Sequence, residues 1–237
     1  MPASTPHADS QRSTPVRWLV RGAWLAFWVV AGYFVACALL IASYRVVDPL
    51  FTTVHVERWV ESWGDEGDYD YRRTAVRLAD ISDQLERAVV ASEDARFYDH
   101  HGFDWIEVEK AREAAAQGGR LRGASTISQQ LAKNLFLTTD RSWLRKVAEV
   151  PLTVLIEALL PKERILELYL NTIEWGPDGV FGAEAAAQAH YGIAAADLSR
   201  NQAARLAAIV PAPRTRAPHA ADRTAQRILR RMWQLGY

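Results

Sequence analysis

The stretch DQLERAVVASEDARFYDHHG, residues 83–102, decides how this chain folds. Leu85, Ala88 and Val89 recur at three- and four-residue spacing, which puts them on one face of a helix. Around the end of that helix the chain gathers Glu93, Asp94, Phe97, Tyr98, His100 and His101 before Gly102. Ionisable groups there can be partly desolvated, and desolvation turns a carboxylate into a useful base. The residues alone leave open a plain helix terminus with solvated acids.

Downstream of Asp83 the helical period continues almost without interruption. Asp83 with Glu86, Asp104 with Glu107, and Ser199 with Gln202 have the spacing of capping boxes, so each marks a helix start. No sustained alternation of the kind a strand shows is present, and no repeat or low-complexity tract breaks the pattern. The fold class expected is all-α over residues 75–237.

The stretch GASTISQQLAKN, residues 123–134, opens another helix, with Ile127, Leu131 and Leu135 on its apolar side and Gln130, Lys133 and Asn134 on the opposite one. Backbone amides at a helix start, preceded by Gly and Ser, suit a phosphate, and Lys133 adds a point charge. An ordinary box between Thr126 and Gln129 is the alternative. Between Gly118 and Lys146, six cations (Arg120, Arg122, Lys133, Arg141, Arg145 and Lys146) face the single acid Asp140, a net +5. The whole chain is neutral, with 28 basic and 28 acidic residues in 237, so totals conceal this local anion site and give no hint of a nucleic-acid partner. Glu149, four residues after Arg145 and three after Lys146, also fits a simple helix ion pair.

From Gly22 to Tyr44 no side chain is charged, and 23 residues at 1.5 Å rise cover roughly 34 Å, enough for a bilayer core of about 30 Å. A cleaved signal peptide is the alternative, but the apolar run exceeds a signal core of roughly 7–15 residues and no clear small-x-small site comes after it. Trp18 and Tyr44 stand where interfacial anchors are expected. Arg12, Arg17 and Arg21 precede the run, so the positive-inside rule keeps the N-terminus in the cytoplasm and exports the chain beyond Tyr44. The expected division is a cytoplasmic tail over 1–21, its first 16 residues disordered, then a transmembrane helix over 22–44. A membrane-proximal segment occupies 45–74, and the catalytic domain 75–237. The lone Cys37 excludes an internal disulfide.

Five ordered blocks, EDARFYDHHG from Glu93, GASTISQQLAKN from Gly123, RKVAE from Arg145, KERILELYLN from Lys162 and GVFGAEAAAQAHYG from Gly179, together resemble the peptidoglycan glycosyltransferase family. The resemblance spans about Tyr71 to Pro213. It implies a lysozyme-like all-α glycosyltransferase domain behind one N-terminal transmembrane helix, and polymerisation of lipid-linked disaccharide (lipid II) into glycan strands. By resemblance Glu93 is the general base and Glu149 the second essential carboxylate. Phe97 and His100 shape the site of Glu93, while Ser125, Gln129, Gln130, Lys133, Asn134, Arg141 and Arg145 surround the substrate's pyrophosphate and sugars. A divalent cation, magnesium or manganese, is implied at the pyrophosphate, and no organic cofactor.

His190 and Ile193 depart from the last block and read as packing positions. No Ser-x-x-Lys sequence occurs, so the monofunctional type without a penicillin-sensitive domain is expected. The run from Asn171 to Gly176 looks most like Gram-negative enzymes, which implies the inner membrane, a periplasmic domain, and contacts with the membrane, the growing strand and other wall-synthesis proteins. The competing readings are a lysozyme-like enzyme that cleaves glycan and a tethered scaffold without activity.

Overall fold

The computed structural model describes residues 14–64, 70–119, 125–140, 142–177 and 179–237. The chain divides between Leu40 and Ile41 into two compact units. Helix α1 runs from Thr14 to Ser43. Its stretch Arg17–Ser43, 27 residues or about 40 Å, is long and apolar enough to cross a membrane. Leu25, Trp28, Val29 and Leu39 are exposed along it, which is costly in water and favourable in lipid. The helix starts before the expected Gly22 because Pro15 lies in its first turn, where the missing N–H would have no partner anyway. Residues 14–16 are therefore helical rather than part of a disordered tail, and residues 1–13 lie outside the described ones.

The second unit is helical apart from one pair of two-residue parallel strands, β1 (Arg72–Arg73) on β2 (Val180–Phe181). Its helices are α2 (Thr53–Glu61), α3 (Asp83–Glu93), α4 (Trp105–Ala116), α5 (Ile127–Phe136), α6 (Trp143–Leu159), α7 (Lys162–Thr172), α8 (Ala183–Tyr191), α9 (Arg200–Ile209) and α10 (Asp222–Gln234). The all-α expectation holds. Helix α3 packs against α9 and α10, and α5 against α6 and α7. Leu85, Val89, Ile127, Leu131, Leu152, Ile156, Ile165 and Leu166 are fully enclosed. Each such side chain contributes about 1.5–3 kcal/mol by burial, so the inner faces of these helices fix where their polar residues emerge.

Two of the expected helix starts form complete boxes, Thr126 with Gln129 and Ser199 with Gln202. The other two differ. Ser82 rather than Asp83 caps α3, accepting from the Gln84 N–H, and Asp83 turns to Arg87 at 2.8 Å. A serine one position earlier already satisfies the orphan amide, which frees the aspartate for an i,i+4 pair. Asp104 does cap α4, but Glu107 reaches Lys110 at 2.8 Å instead of returning to the cap.

Residues within 45–64 and 70–74 bond to the helical unit. Thr53 donates from Oγ1 to the Leu137 carbonyl at 2.6 Å, satisfying an orphan acceptor at the end of α5. Arg73 donates to the Asn171 carbonyl at 2.9 Å, and Arg72 pairs in register with Val180. At Gly102 the backbone has φ +87°, and an added Cβ would lie 2.8 Å from Thr153 Cγ2 on α6. Only glycine fits this turn, and its carbonyl accepts from Thr126 Oγ1 at 2.7 Å, which joins the loop after α3 to the start of α5.

Candidate active site

Glu93 is the last residue of α3 and Asp94 caps the helix with its N–H on the Val90 carbonyl. The two adjacent carboxylates have different fates. Asp94 is buried and accepts from the Ile127 N–H at 3.0 Å, the first amide of α5, and from His100 Nε2 at 3.0 Å. A carboxylate at a helix N-terminus meets unsatisfied amides and the positive end of the macrodipole, so Asp94 joins α3 to α5. Glu93 is half-buried and accepts at Oε2 from Gln130 Nε2 at 2.9 Å. Gln130 in turn accepts at Oε1 from the hydroxyl of Tyr169 on α7, 3.0 Å away.

Burial pushes the Glu93 carboxyl above the usual carboxylate range, and Asp94 adds to that push, while Gln130 and Lys133 oppose it. Desolvation dominates because among the described residues no cation touches it, which leaves Glu93 a stronger base than a solvated glutamate.

The second carboxylate is built otherwise. Glu149, buried on α6, accepts from Arg145 at 2.9 Å and from Lys146 at its other oxygen. Lys146 also donates to Ser125 Oγ at 3.2 Å, and Arg145 to the Asp140 carbonyl at 2.6 Å. Lys133 is within electrostatic reach of both carboxylates. Burial pushes its ammonium below the usual lysine range, and Arg145, Lys146 and Arg58 push the same way, while Glu149 pulls back. Among the described residues Lys133 has no carboxylate within 4.0 Å. It is a desolvated cation crowded by cations, a state that an incoming anion relieves.

The expected residues separate into groups. Glu93, Gln130 and Lys133 come together, as do Glu149, Arg145 and Ser125. Phe97 is fully enclosed, with Lys162 Nζ 4.4 Å from its ring centroid, and His100 is turned onto Asp94. Gln129 holds the Thr126 N–H at 3.0 Å as the reciprocal cap, and Asn134 is buried. Arg141, Arg120 and Arg122 lie outside the described residues. His190 donates from Nε2 to the Trp175 carbonyl, 2.8 Å away, in keeping with a packing role.

Three contributors were absent from the expected set: Tyr169, Asp94 and Arg58. Arg58 comes from α2, where it holds Glu174 at 3.2 Å. Nothing local marks Tyr169 or Arg58, which act on Gln130 and Glu174 from 39 and 116 positions away, whereas Asp94 lies in the stretch gathered at the end of α3.

Asp94, His100 and Asp104 bring ligand-type atoms within 4.8 Å of one another. The group does not fit a magnesium or manganese ion. Asp94 is committed to Ile127 and His100, Asp104 Oδ1 caps α4, and its Oδ2 faces Arg96 Nε at 3.3 Å. A hard divalent ion needs about six oxygen ligands, and here a guanidinium already stands beside the second carboxylate.

The domain is thus all-α, ends one helix in a desolvated carboxylate and gathers lysine and arginine side chains around Glu149 and Lys133. A model of the transglycosylase family matches residues 61–234, and the chain belongs to that family. It is 50% identical over 212 residues, 88% of each chain, to a biosynthetic peptidoglycan transglycosylase of Pseudomonas fluorescens. Proteins of the same description from Pseudomonas aeruginosa and Rhodospirillum centenum are 48% and 53% identical, over 86% and 80% of this chain and 89% and 80% of theirs.

Proposed function

We propose that the chain is a peptidoglycan glycosyltransferase that polymerises lipid-linked disaccharide-peptide, lipid II, into glycan strands with release of polyprenyl diphosphate, in cell-wall biosynthesis. The observation that carries this reading is the pairing of desolvated Glu93 with the Lys133, Arg145 and Lys146 cluster.

The acceptor sugar's 4-hydroxyl attacks C1 of the donor strand. The bond from O4 to C1 forms, the bond from C1 to the pyrophosphate oxygen breaks, and the hydroxyl proton passes to Glu93. General-base assistance of this kind contributes roughly 10²–10⁴-fold. Pyrophosphate leaves as a stable anion, so departure needs positive charge rather than a proton donor, and Lys133, Arg145, Lys146 and Arg141 supply it. Glu149 acts as a carboxylate that holds Arg145 and Lys146 toward the leaving group, while Ser125, Gln129, Gln130 and Asn134 form the wall on which pyrophosphate and sugars rest. Both Glu149 oxygens already accept from cations. No step is therefore assigned to the divalent cation that the family resemblance implies.

The arginines before Gly22 support a single-pass protein of the inner membrane, with a cytoplasmic N-terminus and a periplasmic catalytic domain. Its partners are the membrane, the growing strand and other wall-synthesis proteins. Residues 1–21, 22–44, 45–74 and 75–237 serve as tail, anchor, membrane-proximal segment and catalytic domain. The test is a gel assay of the purified full chain with lipid-linked disaccharide: a ladder of lengthening strands is expected. Shortening of preformed, lipid-free glycan without extension of the lipid-linked substrate would overturn the proposal in favour of a cleaving enzyme.

A further inference from the structure

Tyr169 is fully enclosed, so it cannot touch a substrate, yet its hydroxyl stands one residue removed from the base. A carboxylate can only accept, so Gln130 must present its N–H side to Glu93 and its carbonyl oxygen to Tyr169. Among the described residues the Tyr169 hydroxyl has no other hydrogen-bond partner. If the amide turned over, the hydroxyl proton would be buried without an acceptor, and the Gln130 oxygen would face the Glu93 carboxylate. Neither is tolerable in a desolvated site. The hydroxyl thus fixes the sense of an amide that could otherwise rotate.

We propose that Tyr169 is a positioning residue for the transferase reaction, locking the Gln130 side-chain amide so that its N–H holds Glu93 Oε2 and leaves the other oxygen to receive the acceptor's proton. This rests on the assignment of Glu93 as base. The groups that face Glu93 are Gln130 and Lys133 from α5, Tyr169 from α7 and its own neighbour Asp94.

Tyr169→Phe keeps the ring and its packing but removes the hydroxyl. In the full chain, with lipid-linked disaccharide, kcat should fall about tenfold, the size of one net buried hydrogen bond, while KM stays within about twofold. Gln130→Leu should lower kcat at least as far, and adding Tyr169→Phe to it should cost nothing more, because the hydroxyl then has no amide to hold. A Tyr169→Phe enzyme with the parent kcat, or an equal loss with and without Gln130, overturns the proposal. So does a Gln130→Leu enzyme with full kcat, which decides the matter even if Tyr169→Phe misfolds. Glu93→Gln separates the two layers: if it is inactive while Tyr169→Phe turns over at the parent rate, only the positioning role fails, and if it is fully active the base assignment itself fails.

Discussion

Glu93 and Glu149 are both carboxylates on helices that pack around α5 and its neighbours, yet their surroundings are opposites. Among the described residues Glu93 meets a neutral amide at 2.9 Å and no cation in contact, whereas Glu149 is gripped by two cations, Arg145 at 2.9 Å and Lys146. The first arrangement leaves a proton affinity to be used, since burial acts unopposed by direct charge. The second spends the carboxylate on holding cations in place. Lys133 is felt electrostatically by Glu93 and itself feels Glu149, without touching either.

The comparison breaks most readily at Glu93. Replacing it by Gln keeps the shape and the contact with Gln130 but removes the base, so kcat should fall by roughly 10²–10⁴-fold. Urea unfolding should change little. A variant with near-parent turnover would show that the two carboxylates do not divide the labour as described.

Glu149→Gln should act in the other register. It strands Arg145 and Lys146 around a buried neutral amide, and breaking a buried pair of this kind costs about 3 kcal/mol, read as a lower denaturant midpoint at unchanged slope. Polymerisation should also suffer, because the cations lose their orientation. Unchanged stability would mean that the ion pairs seen here are as weak as solvent-exposed ones.

Lys133→Ala removes the group shared by both sites. The grip on pyrophosphate should weaken by about tenfold, the worth of one charge-assisted hydrogen bond, seen as a raised KM for the lipid-linked substrate. An unchanged KM would take Lys133 out of the anion site.

The smallest expected effect is the width of the pH profile. Glu93 must be deprotonated to act, so kcat/KM rises as pH passes its pKa, which burial lifts above the ordinary value of 4.5. Lys133 must be protonated, so activity falls as pH passes its pKa, which burial and neighbouring cations hold below 10.5. The bell should therefore be narrower on both sides than one set by a solvated glutamate and lysine. A limb at the ordinary value on either side would remove the matching group from the mechanism.

What the sequence by itself determined lies within a few residues of each signal. The apolar run of α1, the helical period from Asp83, the boxes at Thr126 and Ser199, and the contacts of Glu149 with residues three and four positions earlier all come from helix geometry, which is local. The placement of Glu93 at a helix end was legible for the same reason. Only the tertiary structure decided who meets whom across helices. Gln130 reaches Glu93 from 37 positions away, Tyr169 reaches Gln130 from 39, and Asp94 reaches Ile127 from 33. It also enclosed Phe97 and brought Arg58 from α2 toward Lys133. These outcomes depend on how α3 seats on α9 and α10 and α5 on α6 and α7, and the period that specifies each buried face carries no information about which other face it will meet.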